Sequence, residues 1–272
     1  HLREELLLPA IVNRLLAFRR EKEALKKQAL EEFERTGDTF FEEQSEFLGK
    51  GIAAMKGTIN SVFGFCGSSS NAFGSTWHDI ASSITRNGRE QITAVKDVLN
   101  ALDFATIKRL MPDILQKHDL WDKDPFRMLV VYGDTDSKAP AILREDNGLP
   151  ATHLSVEAAL ELFDYICTNM TQLGQQLGIQ PVITLKMGIE DLYTRMLGCN
   201  QSKTYAGLIA HYRQGKLETR LVAKGFAVVR GDRWKIVVTG QKQSLNIALS
   251  TQSREEARDA VLKLTYDTIQ TI

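Results

Sequence analysis

Apolar residues recur at helical spacing from the start of the chain. Leu8, Ile11, Val12, Leu15, Leu16, Phe18, Leu25 and Leu30 share one face, so residues 2–34 predict a single long helix. Pro9 suits its first turn or a kink. Arg35-Thr36-Gly37-Asp38-Thr39 breaks the period with turn formers. A second helix is expected from about Phe41 to Val62, with Gly64 as its cap, and the two helices form an antiparallel hairpin. Residues 65–76 are rich in Gly and Ser and read as a loop. A helix follows from about Trp77 to Leu102, then an irregular stretch broken by Pro112 and Pro125. Phe126 to Val131 is a continuous apolar, β-prone run and reads as a buried strand. A return strand is expected from Ser137 to Leu143, short or at an edge because Pro140 cannot donate to a ladder. Ser155 caps a helix running to about Leu173. Val182–Leu185 reads as a strand. A hairpin turns at Arg213-Gln214-Gly215-Lys216, and a last helix begins near Ser253.

Composition adds bounds. The 272 residues are 43% hydrophobic and 25% charged, an ordinary globular balance sufficient for one or two domains. Lys plus Arg equals Asp plus Glu at 34 each. Any nucleic-acid surface must therefore concentrate its positive charge locally. Arg19, Arg20, Lys22, Lys26 and Lys27 make the first helix locally basic, although Glu21, Glu23, Glu31, Glu32 and Glu34 interleave at pairing distances. Cys66, Cys167 and Cys199 form no Cys-x-x-Cys pair, which argues against a zinc ribbon or a disulfide scaffold and for a reducing, intracellular compartment. The sequence shows no membrane-length apolar run and no leader pattern.

The chemistry concentrates where the apolar strand ends, at Tyr132-Gly133-Asp134-Thr135-Asp136-Ser137. Gly133 permits a sharp turn. Two carboxylates one residue apart repel unless a cation lies between them, and carboxylate oxygens suit Mg2+. A bare Asp-x-Asp is more often a solvated turn; the preceding strand and the flanking Tyr-Gly and Ser favour a metal site. On the second helix, Lys56, Asn60 and Phe63 fall at i, i+4 and i+7 on one face. A cation, an amide and an aromatic plane so arranged suit a phosphate, a sugar or base edge, and a base face. The alternative is an ordinary glycine-capped helix end.

These segments resemble family B (polymerase alpha-like) DNA polymerases. The acidic turn resembles the palm motif Tyr-Gly-Asp-Thr-Asp-Ser. Lys56 to Gly64 resembles the fingers motif Lys-x-x-x-Asn-Ser-x-Tyr-Gly, with Phe63 in place of Tyr. Residues 8–20 resemble the first fingers helix, with Arg19 at its phosphate-binding arginine and Glu23 where the family often has lysine. Ile84 to Arg89 resembles the palm-helix motif Ile-Thr-x-x-Gly-Arg, and Glu190 with Tyr193 a palm Glu-x-x-Tyr. Lys203-Thr204-Tyr205-Ala206-Gly207 resembles the Lys-x-Tyr-Ala-Gly segment that touches primer-template. Lys224-Gly225 to Arg230-Gly231-Asp232 resembles Lys-Gly followed by Arg-Arg-Asp, with Gly231 for the second Arg. Lys138 stands where the family is apolar.

The resemblance implies an α+β fold: an antiparallel palm sheet with packed helices plus a long helical-hairpin fingers subdomain. It implies fingers over residues 1–64, palm over 65–240 and the start of a thumb over 241–272. It implies DNA-templated nucleotidyl transfer to a primer 3′-hydroxyl with two Mg2+ ions, for which Mn2+ can substitute. Asp136 is then a ligand shared by both metals and Asp134 a nearby acid with a weaker or indirect role. Arg19 and Lys56 hold the dNTP triphosphate, and Asn60 and Phe63 line the nascent pair. Lys203, Tyr205, Lys224, Gly225 and Arg230 hold primer-template DNA. A processivity factor is expected for the full-length protein, with nuclear location if the source is eukaryotic or a nuclear-replicating virus. The family's first palm motif, Asp-x-x-Ser-Leu-Tyr-Pro-Ser, is not in this sequence, so the chain is expected to be a section of a longer polymerase and inactive by itself. The departures from the cellular pattern fit a viral or divergent member. The competing readings are a non-catalytic polymerase-like DNA-binding protein and, more remotely, an Asp-x-Asp metal-dependent glycosyltransferase.

Overall fold

The computed structural model describes residues 7–68, 75–199, 201, 203–213, 216–226, 234–251 and 253–270. The chain divides into two compact units, His1–Gly88 and Arg89–Ile272, and is mixed α+β as expected, with long helices and small antiparallel sheets.

The first unit is built on helices α1 (Leu7–Thr36) and α2 (Thr39–Gly67). The connection is as short as the turn residues require. Gly37 takes a φ of 70°, and the Asp38 carboxylate accepts a hydrogen bond from the Phe40 amide to cap α2. Helix α2 runs past Gly64, and its cap is Ser68, whose amide donates to the Phe65 carbonyl. The expected glycine stop therefore does not act: Gly64 sits mid-turn in a helix with apolar residues on both sides. The Lys26 ammonium lies 3.5 Å from where a Cβ on Gly49 would stand, which fixes the register of the hairpin. The buried contribution is modest, chiefly Ala29, Ser45, Leu48, Cys66 and Ala81. Helix α3 (Ser75–Asn100) continues from this unit into the next.

The second unit has the larger core. The later part of α3 supplies Ile92, Val95, Val98 and Leu99. The stretch read as irregular folds into two short helices, α4 (Phe104–Leu110) and α5 (Pro112–Lys117). Pro112 starts α5 instead of breaking the segment, because a first-turn proline needs no amide donor. Strand β1 (Phe126–Asp134) pairs antiparallel with β2 (Ser137–Arg144). Phe126 and Met128 are fully buried, but Val131 is 55% exposed, so the apolar run is half-buried. A register shift between Val130 and Tyr132 turns Val131 outward. The other edge of β1 is held by the end of α3 and the connection after it: the Met128 amide donates to the Leu102 carbonyl at 2.9 Å and the Val130 amide to Asn100 Oδ1 at 2.8 Å. Pro140 lies opposite Val130, beside that shift, and β2 keeps its full length.

Helix α6 (Val156–Gln176) is capped by Ser155 as expected and packs Leu162, Ile166, Met170 and Leu173 into the core. Val182–Leu185 is not a strand. Its backbone polar groups are satisfied by side chains: Gln91 donates to the Val182 carbonyl and accepts from the Thr184 amide, and the Thr171 hydroxyl donates to the Ile183 carbonyl. The next strand is instead β3 (Leu192–Gly198). It pairs with β4 (Tyr205–Arg213), which pairs with β5 (Lys216–Lys224). Helix α7 (Lys235–Ser250), whose later part lies in the stretch read as a helical start of a thumb, covers this sheet with Leu245 and Leu249 against Ala206. Helix α8 (Arg254–Gln270) begins where Ser253 indicated. Among the described residues no disulfide forms, and no helix is long and apolar enough to cross a membrane.

Candidate functional site

The candidate residues fall into two groups, one on each unit. On the hairpin, Lys56, Asn60 and Phe63 lie on the exposed surface of α2, and the Phe63 ring is 39% exposed. Helical spacing alone sets their common face. Seven residues are close to two helical turns. Since Lys26 meets Gly49, stepping seven back along α1 and seven forward along α2 puts Arg19 level with Lys56. Arg19 is already engaged: its Nε donates to Glu23 Oε1 at 2.8 Å, with both side chains partly exposed. The Lys22 ammonium sits 5.0 Å from the centre of the Phe18 ring.

In the second unit the acidic turn and the two strand ends are brought together. Asp134 faces Ser137 across a tight turn in which Thr135 takes a φ of 47°. A β-branched residue there is strained by about 1–3 kcal/mol. Side chains hold the turn closed: the Thr135 hydroxyl donates to Asp134 Oδ1 at 3.0 Å and the Ser137 hydroxyl to the Asp134 carbonyl at 3.1 Å. Asp136 is exposed at the outer corner of the turn. Lys138 pairs with Gly133, and its ammonium lies 2.8 Å from where a glycine Cβ would be. This accounts for the lysine: its stem lies across the bare face that Gly133 leaves.

The Lys203 ammonium is 3.8 Å from Asp134 Oδ1, and the lysine side chain is 66% exposed. Such a pair contributes less than about 1 kcal/mol and exchanges readily for another anion. The Tyr132 and Tyr205 rings pack tilted at 55° with centres 5.0 Å apart, and Tyr193 meets Tyr205 edge-on at 6.5 Å. Burial, then the neighbouring Tyr205, Asp191 and Glu190, pushes the Tyr193 hydroxyl up to about 12. It therefore stays protonated. The Lys224 ammonium lies 5.4 Å from the Tyr205 ring centre. Its hydrogen bond to Tyr205, then charge interactions with Tyr205, Glu190 and Asp134, raises its pKa and keeps it charged.

Two glycines make this assembly possible. Gly225 takes a φ of 75°, and a Cβ there would stand 2.5 Å from Thr204 Oγ1 and 2.7 Å from the Lys203 carbonyl. The Lys-Gly dipeptide is thus a close crossing of backbone over the Lys203–Thr204 corner. A Cβ on Gly207 would overlap the Tyr193 ring, so the Glu-x-x-Tyr and Ala-Gly segments are halves of one packing contact. The contacts of Tyr132 and the seat of Tyr193 had no role in the sequence reading, whereas the Arg19–Glu23 pair is one of the pairings that the interleaved charges allowed. Arg230 lies outside the described residues.

Among the described residues no three His, Cys, Asp or Glu side chains cluster. Asp134 and Asp136 nevertheless suit a Mg2+ ion, which characteristically takes one or two carboxylates and completes its shell with water and substrate phosphates.

The chain is 26% identical over 216 residues to the DNA polymerase catalytic subunit of Epstein-Barr virus, covering 79% of this chain and 18% of the relative. It is 23% identical over 264 residues to the DNA polymerase delta catalytic subunit of Candida albicans, covering 97% of this chain and 21% of the relative. A shorter stretch, 96 residues or 35% of the chain, is 31% identical to the DNA polymerase catalytic subunit of Gallid herpesvirus 2, spanning 8% of it. The chain thus spans about a fifth or less of these relatives' length. DNA polymerase family B is matched over residues 1–272, and the chain belongs to that family.

Proposed function

We propose that this chain is the fingers-and-palm section of a DNA-templated DNA polymerase, with fingers over residues 1–64, palm over 65–240 and the start of a thumb over 241–272. The observation that carries the proposal is the meeting of the Asp134–Asp136 turn with Lys203, Tyr205 and Lys224 in one patch. A carboxylate pair for hard cations beside cations and aromatic planes for a nucleic-acid strand is what transfer to a primer end requires.

Asp136 and Asp134 would hold the divalent ions, Asp136 as the shared ligand and Asp134 more indirectly. Bound Mg2+ would supply Lewis-acid activation of the primer hydroxyl and of the leaving group. The chain's own residues do the rest. Lys203 and Lys224 hold the backbone near the primer end through charge, independent of sequence and weakened by salt, and Arg230 is assigned the same role from its motif alone. Tyr205, braced by Tyr132 and Tyr193, offers a fixed surface to the duplex. Gly225 keeps the two lysine-bearing segments in close register. Arg19 and Lys56 bind the triphosphate of an incoming dNTP, and Asn60 with Phe63 packs against the nascent pair. The Phe63 ring retains the aromatic face without a hydroxyl. Action on DNA implies an intracellular setting, nuclear where replication is nuclear, and a processivity partner for the full-length protein.

The test is primer extension by the longest native form of the protein in Mg2+, beside its Asp136→Asn variant. Extension that disappears in the variant is expected. Bound DNA with no extension by either form would support the non-catalytic reading instead.

A further inference from the structure

The hairpin carries a negative charge where it is expected to receive one. Glu23 Oε1 takes the Nε hydrogen of Arg19 at 2.8 Å, and the hairpin register puts Arg19 level with Lys56. The side-on edge of the guanidinium is thereby occupied, leaving its terminal nitrogens to meet an anion. Glu23 could act in two opposed ways. By holding Arg19 still it could improve anion binding. By adding a carboxylate beside the anion it could weaken it.

Magnitudes decide between them. A partly exposed i, i+4 pair steadies its partner by at most about fivefold in an equilibrium, usually about twofold. A carboxylate roughly 8 Å from three or four phosphate charges in a water-like medium opposes binding by about threefold to fivefold after screening at 0.1 M salt. The repulsion also acts on phosphate held by Lys56, which gains nothing from the steadying of Arg19. We infer that Glu23 is a tuning residue that lowers the hairpin's affinity for nucleoside triphosphates by opposing their charge beside Arg19. The inference rests on the triphosphate role proposed for Arg19 and Lys56.

The test uses the whole 272-residue chain and a fluorescent dATP derivative without Mg2+, so that its phosphates keep their full charge, followed by anisotropy, with the corresponding monophosphate in parallel. Glu23→Gln is expected to tighten the triphosphate by about threefold and Glu23→Lys by about tenfold. Both gains should be smaller for the monophosphate and should shrink toward nothing near 0.5 M salt. A merely structural role would show neither the charge order nor the salt dependence. Unchanged or weaker triphosphate binding in Glu23→Gln, with binding still lost in Arg19→Ala, overturns the inference and leaves the triphosphate role standing. Wild-type binding in both Arg19→Ala and Lys56→Ala overturns the triphosphate role and the inference with it.

Discussion

The two units present their candidate residues by different physical means. The hairpin buries little, with Leu48 its one buried large aliphatic side chain among the described residues. It sets Lys56, Asn60 and Phe63 in line simply by being helical. The second unit packs Val95, Val98, Leu102, Ile107, Leu115, Phe126, Met128, Leu162, Ile166 and Ile183 into one core with almost no exposure. Its site joins residues far apart in the chain: Tyr132 to Tyr205, Asp134 to Lys203, and Tyr205 to Lys224. One arrangement is local and tolerates weak packing. The other exists only when the tertiary fold does.

The largest test of that contrast is in the cores. Leu162→Ala, at a site 1% exposed, should cost the second unit about 2–5 kcal/mol in urea unfolding. Leu48→Ala should cost the hairpin no more than about 2 kcal/mol, because its site is shallow and collapses easily. Equal losses would mean that the hairpin is as tightly packed as the second unit.

Glycines sharpen the comparison. Gly225→Ala forces a Cβ onto the Lys203–Thr204 corner in a left-handed backbone. It should destabilise the β4–β5 end by about 2–3 kcal/mol and weaken primer-template binding about tenfold or more. Gly51→Ala, inside α2 with nothing within 4 Å of the new methyl, should stabilise the hairpin by about 0.5–1 kcal/mol. Amide exchange on the two segments reads both.

That asymmetry also governs what was legible in advance. Both hairpin helices and the shared face of Lys56, Asn60 and Phe63 follow from period and turn residues, so the sequence sufficed. The acidic turn was legible because Gly133 and its flanking acids are contiguous. Val182–Leu185 misled because its extended, β-prone residues satisfy their backbone through Gln91 and Thr171, partners that no local pattern marks. Strand β3 was missed because its pairing is set by β4 and by Tyr193 lying over Gly207. Lys138 looked anomalous until its partner across the hairpin proved to be a glycine.

The smallest expected effect is acid sensitivity, which should be confined to the second unit. Hydrogen bonds from Lys117 and His118 lower the Glu161 pKa from its ordinary 4.5, and the Thr106 side chain and amide lower that of Asp103 from 3.8. A carboxyl depressed on folding stabilises above its unfolded value and loses that contribution as pH falls through the folded one. Stability should therefore be flat above about pH 5 and decline below pH 4.5. Asp103→Ala, which removes the α4 cap, should cost about 1 kcal/mol at neutral pH and flatten part of the decline. A decline unchanged in that variant would assign the effect elsewhere.

In the proposed function the Asp134–Asp136 turn performs the chemistry while Lys203, Tyr205 and Lys224 hold the nucleic acid. The most direct measurement is single-turnover addition of one nucleotide by the longest native form and its Asp136→Asn variant, with primer-template affinity measured on the same samples. The variant's rate should be lower by on the order of a thousandfold, with DNA affinity changed less than about twofold. A variant that extends primers at the wild-type rate, or that loses DNA affinity in step with rate, would contradict that assignment.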